Sequence, residues 1–435
     1  MGRDMTVLQQ WQLTGKPPLL GPQTSALPFN QSAIYFYLLY PGYLISSGNP
    51  VANVYSLAIF YIIFLIIGFY ALRKDKLLLI AYLVSFFLLS IHPQYITQGR
   101  FVWNPSFVTP LIITAIFAFY KLLNQYSRKT VTIFSLCIAT AVSISYSVAP
   151  LLISLFIFWL LFNRKHFSEL FIGLAGSFFI VQLPTIFFEL RHKFVLTKLL
   201  LTNKSPEQEG LLFSTRVDRL SQFIFSTTNQ QLNIILFVAS VIVAIIVVYK
   251  FRNIRNKLQF LAAFLYLSLT ALAFITPVSI QSHYIFGFTS LLFILIAALS
   301  PRLSLPVLLF FTYLYCQPTI INEYFKPARR SYDSLQKCLQ KYCDQFRETT
   351  FVSVQSNFHP FHNGPEHRYL LTKVGCSVKE IEKEAASAKY MTVVLDDGSY
   401  DENTKYYELD LFGQHKEISR LNCHPNLQIV TLEKI

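Results

Sequence analysis

VANVYSLAIFYIIFLIIGFYAL at residues 51–72, RKDK at 73–76 and LLLIAYLVSFFLLSIHPQY at 77–95 decide the fold class. Each apolar run has about the 20 residues a helix needs to cross a bilayer, and only four charged residues join them. Runs of this kind recur near 106–121, 131–147, 149–163, 169–188, 232–249, 258–276, 283–300 and 303–320, which makes about ten spans. Composition agrees. The 435 residues are 53% hydrophobic and 14% charged, against about 25% charged in a soluble domain. The opening stretch is polar and lacks the basic and apolar regions of a cleavable signal peptide.

The net charge of +14 raises the question of nucleic acid. The cations, however, fall in short clusters between apolar runs, as in cytoplasmic loops, so no nucleic-acid partner is expected. Arg73-Lys74-Asp75-Lys76, Lys121 with Arg128-Lys129, Arg164-Lys165, and Lys250 with Arg252, Arg255 and Lys257 share one side if the spans alternate. The positive-inside rule makes that side cytoplasmic. Residues 1–50, 94–105, 189–231, 276–283 and everything after 320 then face outward. The localisation expected is a multi-pass plasma (inner) membrane protein with its C-terminal domain outside.

Residues 321–435 form a separate domain by composition. Segments 351–354, 390–395 and 427–432 read as strands and 332–346 and 366–388 as helices, giving a small α/β domain. Its four cysteines, Cys338, Cys343, Cys376 and Cys423, contain no C-x-x-C pair. Two disulfides are favoured over zinc, with three pairings open. Cys137 and Cys316 fall within spans. Asp396-Asp397-Gly398 reads as a strand-ending turn rather than a metal site. The long outward segment 190–231 carries Arg191, His192, Lys193, Lys204, Arg216 and Arg219 among apolar residues at helical intervals. An amphipathic helix lying in the interface is the expected structure.

The outward loops hold the chemistry. Asp4 is the only carboxylate of residues 1–50, and Arg100, Arg191, His192 and Lys193 supply positive charge beside aromatic residues. Sugar transfer from a polyprenyl-phosphate donor needs such a set. A carboxylate takes the acceptor hydroxyl's proton as it attacks the anomeric carbon, and cations stabilise the departing phosphate. More ordinary roles compete. Asp4 can N-cap a helix over 5–14, Glu189 and Arg191 can form an ion pair, and His92 can cap at Pro93. Trp103, His283 and Tyr284 can anchor at the interface.

Gly2-Arg3-Asp4, the run Gly15-Lys16-Pro17-Pro18-Leu19-Leu20-Gly21-Pro22 and Tyr35-Phe36-Tyr37-Leu38-Leu39 resemble the first periplasmic loop of GT-C glycosyltransferases. The type resembled is the bacterial group related to protein O-mannosyltransferases and lipid A aminoarabinose transferases. Arg100 to Pro105 is similar to that group's Arg-x-x-Trp-Asn-Pro element, and Phe188-Glu189-Leu190-Arg191-His192 to its Glu-Leu-Arg-His element. The resemblance covers about residues 1–320 and rests on four motifs in series. It implies an α-helical polytopic membrane protein of GT-C type with a small C-terminal exoplasmic α/β domain. Residues 1–50 become an exoplasmic catalytic loop, 51–320 the multi-span domain and 321–435 the soluble domain.

By the resemblance Asp4 matches the first-loop catalytic acid, and Arg100, Arg191, His192 and Lys193 bind the donor phosphate. Arg3, Tyr35, Tyr37, Trp103, Asn104, Glu189 and His283 contact substrate. The partners implied are a polyprenyl-phosphate sugar donor, membrane lipid and a cell-surface acceptor. The family's helix before the catalytic loop has no counterpart, since the chain as written starts almost at the acid. Relatives' second acid beside the first is Met5 here, and their His-Tyr pair is Ser145-Tyr146. No metal and no cofactor are therefore expected. Two other classes remain: a transporter or flippase of lipid-linked sugars, and a non-catalytic membrane anchor for the C-terminal domain. Against the first, the spans are almost free of ionisable residues and show no internal repeat.

Overall fold

The structure is a computed structural model that describes residues 2–24, 30–162, 166–202, 212–251, 257–276, 280–326, 331–348, 350–356, 359–362, 364–379, 388–396, 400, 407–424 and 426–435. Arg164, Lys165, Lys204, Arg252, Arg255, Asp397 and Gly398 lie outside these residues, as does the end of the helix expected to 388. Contacts divide the chain into two units, Pro17–Phe325 and Met1–Lys16 with Lys326–Ile435.

The first unit is a helical bundle. After the hairpin β1 (Leu20–Gln23) and β2 (Asn30–Ser32) come α2 (Ile34–Ile45), α3 (Ala52–Leu72), α4 (Lys76–Ile91), α5 (Pro93–Arg100), α6 (Val108–Asn124), α7 (Arg128–Ile144), α8 (Ala149–Phe162) and α9 (Phe167–Arg191). Then follow α10 (Val195–Thr202), α11 (Phe213–Phe225), α12 (Gln230–Phe251), α13 (Leu258–Ile275), α14 (Phe286–Ala298), α15 (Pro301–Tyr315) and α16 (Pro318–Tyr324). Every expected span overlies a helix. Among the described residues five helices are long and apolar enough to cross a membrane, or seven if each bent pair counts as one span. The span through α6 is 83% buried, against 17% for α3 and α9. Helix α6 is buried because α3, α4, α7 and α14 all pack against it.

Two bends are written in the sequence as X-Pro. The α4–α5 axis turns by 69° at His92-Pro93 and the α15–α16 axis by 58° at Gln317-Pro318. Residues before proline are driven out of the helical region, and His92 and Gln317 are extended at ψ 129° and 141°. Lys121 Nζ donates to Ala71 O at 2.9 Å, so the basic clusters after α3 and α6 share one end of the bundle.

Residues 1–50 are not the single loop expected. They contain α1 (Gly2–Thr14), the β1–β2 hairpin and α2. Ile34-Tyr35-Phe36-Tyr37-Leu38-Leu39 is as apolar as the spans, and its helix tolerates Pro41. The expected boundary at 320/321 moves to 325/326, and residues 1–16 group with the tail.

The second unit is the α/β domain. Its sheet runs β4 (His359–His362), β3 (Thr350–Ser356), β6 (Tyr390–Asp396), β8 (Leu427–Lys434), β7 (His415–His424), with β5 (Val378–Lys379) also on β3. Strands β3 and β6 are parallel, and β6, β8 and β7 antiparallel. Its described helices are α1, α17 (Tyr332–Gln345), α18 (Pro365–Lys373) and α19 (Tyr407–Phe412). Met391, Val393, Leu395, Val430 and Leu432 form the core with Leu409 and Phe412. Tyr342 ties α17 to the sheet through Thr392 Oγ1 at 2.7 Å, and burial raises its phenol's pKa. The pairing left open resolves as Cys338–Cys423 and Cys343–Cys376. The expected helix from 366 stops at Lys373, because Gly375 takes φ +97° and β5 follows.

Candidate functional site

Where α6, α8 and α14 begin, each is preceded by a short 3-10 turn: Asn104–Phe107, Tyr146–Val148 and Ser282–Ile285. These turns and the β1–β2 hairpin bring together polar side chains from distant parts of the bundle. Asn104 is buried, and its Nδ2 donates to Ile144 O at 2.8 Å and to Gln31 Oε1. The Ile144 carbonyl is one of the last in α7, so Asn104 supplies a partner the helix cannot. Trp103 Nε1 donates to Gln98 Oε1, while its ring meets the His283 imidazole edge-on at 4.9 Å. Ser106 Oγ donates to Gln98 O and accepts from Trp103 N–H, both at 3.3 Å. Ser147 Oγ lies 2.8 Å from Ser145 Oγ and 3.5 Å from His283 O. Tyr146 OH donates to Asn30 O at 3.4 Å, and Gln182 Nε2 to Ser143 Oγ at 3.1 Å.

Beside this shelf, α3, α4 and α5 leave a cleft of about 470 Å³. Leu57, Ala58, Leu83 and Phe87 make its length apolar, and Gln98 and Ser106 bring polar groups to it. Its size falls in the range of small-molecule sites, which are mostly apolar with a few fixed polar groups. Tyr61, also on the cleft, donates to Ser106 O at 3.3 Å.

The structure thus joins Trp103, Asn104 and His283. Tyr35 is fully buried against Phe107 in the first of the 3-10 turns, and Tyr37 OH donates to Pro18 O at 2.8 Å. Arg100 ends α5, and its Nη1 donates to Tyr324 O at 2.6 Å, a cation on the carbonyl end of α16.

Other expected residues lie elsewhere. Glu189 spends both oxygens on α10, accepting from Leu196 N–H at 2.9 Å, Thr197 N–H at 3.0 Å and Thr197 Oγ1 at 2.6 Å. It is a helix cap and makes no ion pair with Arg191. His192 Nδ1 donates to Phe188 O at 2.9 Å with its ring stacked on Phe188. Arg191 and Lys193 are exposed, and Lys193 takes φ +56° in the α9–α10 turn. No described contact brings these cations to Arg100 or to the shelf.

Asp4 belongs to the other unit. It lies in the first turn of α1 rather than at an N-cap position, since α1 begins at Gly2. The carboxylate is 4% exposed and Arg3 Nε and Nη2 both lie 3.3 Å from Oδ1. A Cβ at Gly2 would strike the backbone of Pro365 and Glu366, so α1 packs on the start of α18 as glycine alone allows. Among the described residues no three His, Cys, Asp or Glu side chains converge as a metal would require.

Sequence reading missed Gln31, Gln98, Gln182, Ser143 and Ser147. Amides and hydroxyls scattered over 150 residues carry no spacing signal. The local hint is the X-Pro steps His92-Pro93 and Asn104-Pro105 beside Gln98.

The sequence matches no family model and no curated protein. Solved structures do align. The apo crystal structure of ArnT from Cupriavidus metallidurans superposes with a TM-score of 0.61 at 10% identity, covering 99% of this chain and 92% of that one. The same protein bound to undecaprenyl phosphate gives 0.60 at 11% identity, over 99% and 93%. The chain therefore has the fold of ArnT, the lipid A aminoarabinose transferase, a GT-C glycosyltransferase.

Proposed function

We propose that this protein is an integral-membrane glycosyltransferase that moves a monosaccharide from a polyprenyl-phosphate donor to a cell-envelope acceptor at the outer face. The observation that carries the reading is the ArnT fold over 99% of the chain, in a protein solved with undecaprenyl phosphate bound. The cleft between α3, α4 and α5 supports it. In this reading the isoprenoid chain lies along Leu57, Ala58 and Leu83, and the phosphate and sugar reach the shelf at Gln98 and Trp103.

The acceptor hydroxyl attacks the anomeric carbon, the bond to phosphate oxygen breaks with its electrons, and the hydroxyl proton passes to a carboxylate. Asp4 is proposed for that role, being the sole carboxylate of residues 1–50. Arg100 neutralises the growing phosphate charge, with Arg191, His192 and Lys193 adding positive potential. Trp103, Asn104, Tyr37 and His283 hold the sugar, Tyr35 supports them from beneath through Phe107, and Arg3 holds Asp4. The basic clusters shared by the ends of α3 and α6 support a cytoplasmic end there, with the shelf at the start of α6 toward the outer face.

The test is sugar transfer from labelled polyprenyl-phosphate donors by membranes containing the full chain. Asp4→Asn, losing a general base, is expected to slow turnover by about a hundredfold or more. Equal turnover by the two forms removes Asp4 from the mechanism. No turnover with any donor by folded protein refutes the transferase reading.

A further inference from the structure

The imidazole of His92 is fully buried at the α4–α5 elbow and does two things at once. Its Nδ1 accepts from Gln94 N–H at 3.2 Å, capping α5. That acceptor role puts the proton on Nε2, which donates to Ile224 O at 2.9 Å, 132 residues away. Ile224 is in the last turn of α11, where carbonyls have no helical partner. Ser226 serves two neighbours: its N–H reaches Gln222 O at 2.7 Å and its Oγ reaches Phe223 O at 3.1 Å. The Ile224 carbonyl is left for His92. Tyr95, Phe293 and Tyr315 hold the ring at 4.9–5.7 Å between centroids, all near edge-on.

The other end of α11 is fixed as well. Arg216, 6% exposed, donates from Nη1 to Ala273 O at 2.6 Å in the last turn of α13. The helix is thus a strap pinned at both ends, and its C-terminal pin is the residue that starts α5. Helix α5 carries Gln98, which holds Trp103, and Arg100, which holds α16.

We propose that His92 is a positioning residue: by tying the end of α11 to the start of α5 it sets where Gln98 and Trp103 stand for the donor sugar. The proposal rests on the transferase reading for its kinetic consequence, and on geometry alone for the tie. An aromatic core histidine would need only its ring faces. Here both nitrogens are committed to backbone groups of two separate elements.

Two variants of the full-length protein separate the contacts. His92→Asn keeps a short acceptor for capping but loses the reach to Ile224. His92→Gln keeps a donor at the length of Nε2 and gives up the cap. Amide exchange over 220–226 is expected to quicken about tenfold in His92→Asn and stay near wild type in His92→Gln. In transfer assays His92→Asn is expected to raise the donor KM about fivefold with kcat changed less, and His92→Gln to restore it. Unchanged exchange in His92→Asn overturns the tie. Faster exchange with donor KM unchanged overturns the positioning role and leaves a purely structural histidine. Wild-type protein that turns over no donor refutes the transferase reading instead, and exchange still decides the tie.

Discussion

Replacing Gly68 by alanine tests how closely α3 and α4 approach. A Cβ there would overlap Cε1 and Cζ of Tyr82. That ring cannot yield cheaply. It is fully buried, its hydroxyl donates to Phe64 O at 2.7 Å and lies 3.0 Å from Thr114 Oγ1, and its edge meets Phe117 at 5.2 Å. Displacing it loses two hydrogen bonds at about 1 kcal/mol each and adds about 1–3 kcal/mol of overpacking. The sum, about 3–5 kcal/mol, corresponds to a fall of about 5–8 °C in the thermal midpoint of detergent-solubilised protein. Tyr82→Phe alone forfeits only the bonds and should cost about 1–2 kcal/mol. Once Tyr82→Ala has removed the ring, adding Gly68→Ala should cost within about 0.5 kcal/mol. An unchanged midpoint for Gly68→Ala, or simple additivity in the double variant, refutes the reasoning.

Three further outcomes follow from the geometry. Cys338–Cys423 closes 85 residues and Cys343–Cys376 closes 33, so chain entropy gives about 4.6 and 3.7 kcal/mol. Pulse proteolysis of the tail should find Cys338→Ser/Cys423→Ser the more damaging pair, and the reverse order contradicts the entropic account. Glu189→Ala removes the cap of α10 and should cost about 1–2 kcal/mol locally, read as roughly tenfold faster amide exchange over 195–202 with α9 unaffected. The Arg420 guanidinium, 2.7 Å from Glu417 Oε2, holds that carboxyl below its ordinary value. A depressed folded value adds stability that is fully present above the ordinary carboxylate pKa of about 4.3 and is lost as pH falls on from there through the lower folded value. Both groups are about one-third exposed, so Arg420→Ala should cost less than about 1 kcal/mol at pH 7. That difference should fade once the pH has fallen below the depressed folded value, and a difference that persists in acid excludes the pair as its source.

The bundle was legible because its signal is local. Runs such as 51–72 and 232–249 are apolar over a bilayer's width whatever surrounds them, and helices stand at all ten expected places. The bends at His92-Pro93 and Gln317-Pro318 break runs 77–95 and 303–320 that the sequence reads as single spans, although a proline marks each break. Residues 1–50 were misread as loop because Pro17, Pro18, Gly21 and Pro22 dominate their middle, masking the apolar run that becomes α2. In the tail β7 escaped, since an edge strand reading His-Lys-Glu-Ile-Ser-Arg-Leu-Asn-Cys-His has little alternation to see. The site was legible only in part. Trp103, Asn104 and His283 stand out as aromatic or polar residues at span ends. Gln98 and Gln31 acquire meaning only through partners the fold delivers. Glu189 looked like chemistry because a carboxylate beside Arg191 and His192 invites it, and its hydrogen bonds all go to α10.

The central claim is that a glycosidic bond to phosphate is broken. Purified full-length protein in proteoliposomes, given a polyprenyl-phosphate sugar and a glycan or lipid acceptor, should yield free polyprenyl phosphate and glycosylated acceptor in equal amounts by mass spectrometry. Movement of the sugar-lipid across the bilayer with that bond intact would contradict the account and make the protein a translocator.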